Sequence, residues 1–308
     1  MLFSKKSLGM EIHQGGLALV LASGSQALPV IERFETATFP SDSIRFSLKE
    51  PNLRDSESLK TVISESYRKM CTKNRRVSLS IPDSVGRTLL LEMETSFKNR
   101  AEGVDQVRWK LKKSFPLDLN DVHLDFQTLQ KRESGESVLL VSLAPKSVIE
   151  EYENLLIDAG MEPYQIDFTS FNIYKLFSHH LDIQDSVAFI MLYRETISVL
   201  IFKDGLLDFC RNKYLGSSGF DATRLYREIN SSLLVYYDTK GASKPQTFFY
   251  YAADDERVIM RNVIIEATGV VPFLLETEAI QGRSHQRLDR EEIPNLLSGL
   301  GAAARGLK

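Results

Sequence analysis

Cysteine is nearly absent from this chain. Cys71 and Cys210 are the only two in 308 residues, and they lie far apart with no CxxC between them. That spacing excludes a disulfide framework and a thiol-redox motif, and makes a reducing compartment the expectation. Net charge is also lacking, with 38 basic residues set against 41 acidic ones. No global field points to nucleic acid or to an acidic substrate. No run approaches the roughly 20 apolar residues of a membrane span. Lys5-Lys6 ahead of apolar residues imitates a signal peptide, but Glu11, His13 and Gln14 break the stretch too early. A Walker loop, a GxGxxG fingerprint and a Ser/His/Asp constellation are all missing, so catalysis has no recognisable footing. These absences together suggest a cytoplasmic protein that is not an enzyme.

What is present is a repeated pattern. Val187–Tyr193 is seven apolar residues in a row, which reads as a strand buried on both faces. Arg194-Glu195-Thr196 is a polar turn and Ile197–Phe202 a second strand. Asp204-Gly205 is a strong hairpin signal, and Leu206–Phe209 begins a third strand. A weaker copy stands at the N-terminus: Leu8–Ile12, the turn His13–Gly16, Leu17–Ala22, a turn with Gly24, then Leu28–Phe34. A β-β-β unit in each half predicts a two-lobed, internally duplicated α/β protein. In such proteins the first turn of each unit faces a central cleft.

Between and after these units the periodicity predicts further elements. Leu59, Val62, Ile63, Tyr67 and Met70 share a helical face, with Asp55 or Ser56 as N-cap. Strands are expected at Val77–Ile81, Thr88–Met93, Val122–Phe126, Val138–Ala144 and Gln165–Phe168. Helices are expected at Val104–Phe115, from Lys146 to the Gly160 cap, and at Phe171–Leu181. In the second half come a long helix carrying Phe220, Leu225, Ile229, Leu233 and Tyr236, the strand Thr247–Tyr251, a helix closed by Gly269, and the strand Val270–Leu275. Glu276–Arg290 reads as polar and mobile, and the chain finishes on a small-residue helix, NLLSGLGAAARGL.

Four stretches carry a resemblance: RVSLSIPDSVGRTLLLE at Arg76–Glu92, VRWKLKKSFPLDLNDVHLDFQTL at Val107–Leu129, APKSVIEEYENLLIDAGMEP at Ala144–Pro163, and GLGAAARG at Gly299–Gly306. Over nearly its full length the chain resembles the PilM family, the actin-like cytoplasmic proteins of type IV pilus assembly. The resemblance implies the two-lobed fold of actin and FtsA, with a small α/β subdomain inserted in the first lobe. It places residues 1–85 and 164–186 in the first lobe, 86–163 in the insert and 187–308 in the second lobe. It also implies a partner, the cytoplasmic N-terminal tail of a PilN-like inner-membrane protein, held by the first lobe and its insert, with other platform proteins nearby. The protein would then be peripheral to the inner membrane.

The phosphate turns depart from the family pattern. A clamped nucleotide needs small residues whose backbone N–H groups reach phosphate, and an oxygen ligand for Mg²⁺. Relatives read roughly D-I-G-S-S-S in the first turn; here stand Glu11-Ile12-His13-Gln14-Gly15-Gly16. The second, roughly D-I-G-A-x-x-T, corresponds to Leu192-Tyr193-Arg194-Glu195-Thr196-Ile197-Ser198, with the metal-side Asp position falling near Met191 or Leu192. Tyr251-Ala252-Ala253-Asp254 replaces the adenosine-side G-G-x-A. Glu11, Gln14, Gly15, Gly16 and Thr196 are thus a vestigial nucleotide site. The expectation is a scaffold with weak or absent ATP and Mg²⁺ binding. The alternatives are an active ATPase of the same fold, a type II secretion platform domain, which usually continues into a membrane helix where this chain stops at Lys308, and more remotely a sugar kinase.

The partner tail is expected in a groove with Leu89 and Leu91 as its apolar floor, Trp109 alongside, and Arg87 and Lys112 at its basic rim. The bland alternative is that Leu89, Leu91 and Trp109 pack the insert against the lobe. Lys110, Lys112 and Lys113 beside Trp109 could instead touch lipid headgroups or an acidic partner, or form a solvated helix face. His179-His180 ends a helix, where partial positive charge suits the dipole. It lacks a third ligand at metal spacing, and no metal is expected. Phe248-Phe249-Tyr250-Tyr251 reads as a buried strand rather than a base-stacking platform.

Overall fold

The computed structural model describes residues 5–94, 96–112, 118–133, 135–181, 186–216, 221–240 and 244–307. The first stretch of chain forms β1 (Ser7–His13), β2 (Gly16–Gly24), β3 (Pro29–Thr38), α1 (Ser56–Lys69) and β4 (Arg76–Ile81). There follow β5 (Arg87–Met93), α2 (Arg100–Leu111), β6 (Val122–Lys131), β7 (Ser137–Pro145), α3 (Lys146–Asp158), β8 (Glu162–Phe168) and α4 (Thr169–Leu181). The second half holds β9 (Ser186–Tyr193), β10 (Thr196–Lys203), β11 (Leu206–Tyr214), α5 (Ala222–Lys240), β12 (Thr247–Tyr251), α6 (Arg257–Thr268), β13 (Phe273–Leu274), α7 (Glu278–Gln281) and α8 (Ile293–Arg305). The expected helix end at Phe115, the Phe220 position and the stop at Gly241 lie outside the described residues.

The duplication read from the hairpins is present. One five-stranded sheet runs β3-β2-β1-β4-β8 and the other β11-β10-β9-β12-β13. In both, the first three strands of the unit pair antiparallel and the next two add in parallel. Asp204 and Gly205 both have positive φ, 53° and 73°, the backbone that the Asp-Gly pair predicts for a two-residue hairpin. β9 is buried from Val187 to Tyr193, as its unbroken apolar run requires.

By contact the chain divides into two units: residues 1–85, 147–180 and 276–308, and residues 86–146 and 181–275. These boundaries differ from the sequence expectation in that residues 86–146 group with 181–275 rather than with the first lobe, and in two further places. The insert is shorter than 86–163: its sheet, β5-β7-β6, ends at Pro145, and β8 pairs with β4 in the first sheet. The C-terminal helix leaves the second lobe and packs on the first sheet, against β1, β2 and β4. Glycine makes that approach possible. A Cβ on Gly9 of β1 would stand 2.1 Å from the Gly299 carbonyl oxygen and 2.3 Å from the Ala303 nitrogen. The small residues of α8 are therefore a contact face.

Polar bonds fix the same unit. Ser80 and Ser298 share a hydrogen bond of 2.5 Å, tying β4 to α8. Arg305 donates to Asn172 Oδ1 at 2.9 Å and lies 3.1 Å from Asp167. Asp83 caps α4, accepting from the Ser170 N–H at 3.0 Å and the Ser170 hydroxyl at 2.5 Å. Burial pushes the Asp83 carboxyl up to about 6, against the pull of these Ser170 bonds.

Residues 276–290, expected to be mobile, are docked on the outer edge of β3. Ile31 N–H donates to Arg283 O at 3.1 Å, His285 N–H to Ile31 O at 2.8 Å, and Phe34 N–H to the Gln286 side chain at 3.0 Å. A polar segment suits this place because an exposed strand edge needs backbone partners rather than apolar side chains.

Candidate functional site

The first phosphate turn is the two-residue link between β1 and β2, closed by the pair His13↔Gly16. Its polar groups are spent within the chain. Gly15 N–H donates to His13 Nδ1 at 3.2 Å, and Gln14 Nε2 donates to the Ile44 carbonyl at 2.8 Å. The Gly15 carbonyl accepts from Phe39 N–H at 3.1 Å. Gly16 is glycine for a packing reason, since a Cβ there would lie 2.0 Å from the Ala37 carbonyl oxygen on β3. Glu11 is 1% exposed on β1, opposite Ala18.

The second turn, Arg194-Glu195, links β9 to β10 and is closed by Tyr193↔Thr196. Glu11 pairs with the third residue of β2 and Met191 with the third residue of β10. The duplicated hairpins thus assign the position of the first unit's carboxylate to Met191, between the two alternatives the sequence left open. Met191 is 1% exposed and offers a metal no oxygen. Arg194 takes a positive φ of 51°, and its guanidinium lies 5.2 Å from the Tyr193 ring centre. Glu195 O accepts from Leu215 N–H at 2.7 Å.

The third element is the β12–α6 turn. Tyr251 is 1% exposed, so the bulk that replaces the first glycine is folded inward. Asp254, Asp255 and Glu256 follow at the N-terminus of α6, where carboxylates meet the positive end of the helix dipole. Asp254 pairs with Arg257 at 2.7 Å. Burial, with repulsion from Asp255 and Glu195, pushes the Glu256 carboxyl up to about 7, against one stabilising backbone bond. Sequence reasoning missed this concentration of negative charge, because Glu195 is some sixty positions away in the chain.

The five residues expected to hold the partner tail separate into three groups. Leu89 and Leu91 pack with Phe97 and Val104 against the insert's core of Val107, Leu111, Phe126, Leu139 and Val141. Both are partly buried within the insert itself rather than against the lobe. Trp109 is the reverse, 79% exposed on α2, with exposed Lys112 one turn on. Arg87 is exposed at the start of β5, its guanidinium donating to the Gly86 carbonyl at 3.1 Å. The rings of His179 and His180 lie 3.9 Å apart and tilted by 43° at the end of α4, and among the described residues no three His, Cys, Asp or Glu side chains are grouped to hold a metal.

Against known families, residues 9–230 match the model of the type IV pilus assembly protein PilM. The chain belongs to the PilM family. That stretch runs from β1 into α5 and takes in both hairpins and the insert. No curated protein matches in sequence. Among solved structures, this PilM-family chain is similar to one from a PilM-PilN type IV pilus biogenesis complex, with a TM-score of 0.78, 17% identity and 99% of each chain covered. It is also similar to the cytoplasmic domain of EpsL, an inner-membrane component of the type II secretion system of Vibrio cholerae. There the TM-score is 0.52 at 11% identity, over 96% of this chain and 95% of that one. A Bacteroides thetaiotaomicron protein with an actin-like ATPase fold gives 0.51 at 11% identity, over 88% and 91%. The fold is the actin-like one. No described helix is long and apolar enough to cross a membrane.

Proposed function

We propose that this PilM-family protein is a nucleotide-independent scaffold. It holds the cytoplasmic N-terminal tail of a PilN-like inner-membrane protein and works at the cytoplasmic face of that membrane among other platform proteins. The observation that carries the first half is the closed Gln14-Gly15 turn. A Gly15 N–H that already donates to His13 reaches phosphate only by breaking that bond. Met191 supplies no metal ligand, and the carboxylates at the β12–α6 turn repel an anion. Each missing contact weakens ATP binding by about 1 kcal/mol or more, and about 1.4 kcal/mol is tenfold in affinity.

Family membership supports the partner, together with full-length likeness to a chain from a PilM-PilN complex. An extended tail is recognised cheaply, through backbone pairing and a few side chains. Among the insert's exposed cations, Arg87 on β5 and Lys112 at the end of α2 are the two expected to meet it. The interface is small, so the expected Kd is on the order of micromolar.

Fluorescence anisotropy of a labelled tail peptide tests the assignment. Arg87→Glu with Lys112→Glu should abolish binding while circular dichroism stays unchanged. The single variants then tell which end of the insert carries the tail. Binding that survives the double reversal removes the tail from this surface.

A further inference from the structure

Trp109 is left over when the insert is accounted for. At 100° per residue it lies about 200° around α2 from both Val107 and Leu111, the buried residues that hold the helix to its sheet. Its ring is 79% exposed. Beyond Arg100, which pairs with Asp125, the charge on α2 changes sign along its length. Glu102 and Asp105 occupy the first half, Arg108 and Lys110 the last turn, and Lys112 the cap. Lys110 is committed, donating to the Glu92 carbonyl at 2.5 Å. Lys112 is exposed and turned to the same side as Trp109, about 60° away. The helix dipole explains cations at this end, but it gives no reason for a tryptophan in water.

We infer that the C-terminal turn of α2 is a membrane-surface contact, with the Trp109 ring seated at the headgroup level of an anionic bilayer, exposed Lys112 against its phosphates and half-buried Arg108 behind it. An indole with one polar N–H and a large apolar body suits that boundary, and the flanking cations are complementary to acidic lipid. A protein partner fits less well. A ring this exposed sits in no recess of its own chain, so a peptide would have to supply the whole pocket, whereas a bilayer interface surrounds the ring unaided. The contact shares Lys112 with the proposed tail surface, so Trp109→Ser rather than Lys112→Glu separates the two.

Trp109 is the chain's sole tryptophan, so its emission reports this site alone. The full-length protein is titrated at low salt with vesicles of equal parts phosphatidylglycerol and phosphatidylcholine, and with phosphatidylcholine alone. The anionic vesicles should shift the emission to the blue and protect it from iodide, with half the effect at roughly millimolar lipid, weaker than a single acyl anchor. Each cation contributes about fivefold, so Lys112→Glu should weaken the effect by at least that factor. Trp109→Ser, followed by co-sedimentation, should lose binding with circular dichroism unchanged. Emission that ignores anionic vesicles overturns the proposal, as does an equal response to both lipids. A shift with polyglutamate but not with vesicles also overturns it and assigns the face to an acidic protein.

Discussion

At position 13 a histidine stands where the family resemblance implies a glycine, and its ring accepts the Gly15 N–H within the turn. His13→Gly should free the Gly15 N–H and raise Mg-ATP affinity only slightly, because Met191 still withholds a metal ligand. If calorimetry shows micromolar ATP for this single change, the missing carboxylate is unimportant. Arg194 is held at φ 51°, a region costing about 1 kcal/mol for a residue with a side chain. Arg194→Gly should therefore be neutral or stabilising by up to about 1 kcal/mol in urea unfolding, an unusual result for replacing arginine with glycine. Asp83 gives a pH signature. Its carboxyl titrates near 6 in the folded protein against 3.8 unfolded, because it is buried. The folded state holds this proton more tightly, so the contribution is complete below about pH 4 and is lost as pH rises through 6. The full effect is on the order of 3 kcal/mol. Asp83→Asn keeps an acceptor for the Ser170 hydroxyl and should flatten that part of the stability-pH curve. An unchanged slope between pH 4 and 7 contradicts the buried-carboxyl reading.

At the scale of elements, most strands and helices were legible because their apolar periods were unambiguous, as in Val187–Tyr193 and in α1. Two features were not. The segment 276–290 has no apolar period, and it is ordered by backbone bonds to β3, which leave no trace in side-chain pattern. The small residues of α8 were visible, but the strand they face could not be read, since the Gly9 contact spans almost the whole chain. That contact predicts a sharp contrast. Gly9→Ala puts a methyl into the α8 backbone and should cost on the order of 3 kcal/mol. Gly15→Ala meets only the His13 ring at 3.7 Å and should change stability by less than about 0.5 kcal/mol. Equal losses at the two positions would contradict the packing of α8 on β1.

For the whole molecule, the duplicated sheets and the family were readable from two hairpins and four stretches that resemble the family, while the functional surfaces were readable only in part. Substitutions in the phosphate turns could be seen residue by residue. Their joint effect needed coordinates, because internal bonds at Gln14 and Gly15 and the Met191 register arise from pairing across strands. The surroundings of the expected tail groove were hidden for a related reason. Alternation along β5 shows that Leu89 and Leu91 share a face, not that α2 already covers it. What separates a scaffold from an ATPase is whether nucleotide is still bound, and titration calorimetry of the full-length protein with Mg-ATP measures it directly. The expected result is no binding tighter than about millimolar. A micromolar Kd would contradict the nucleotide-independent scaffold and return this chain to the ATP-binding members of its fold.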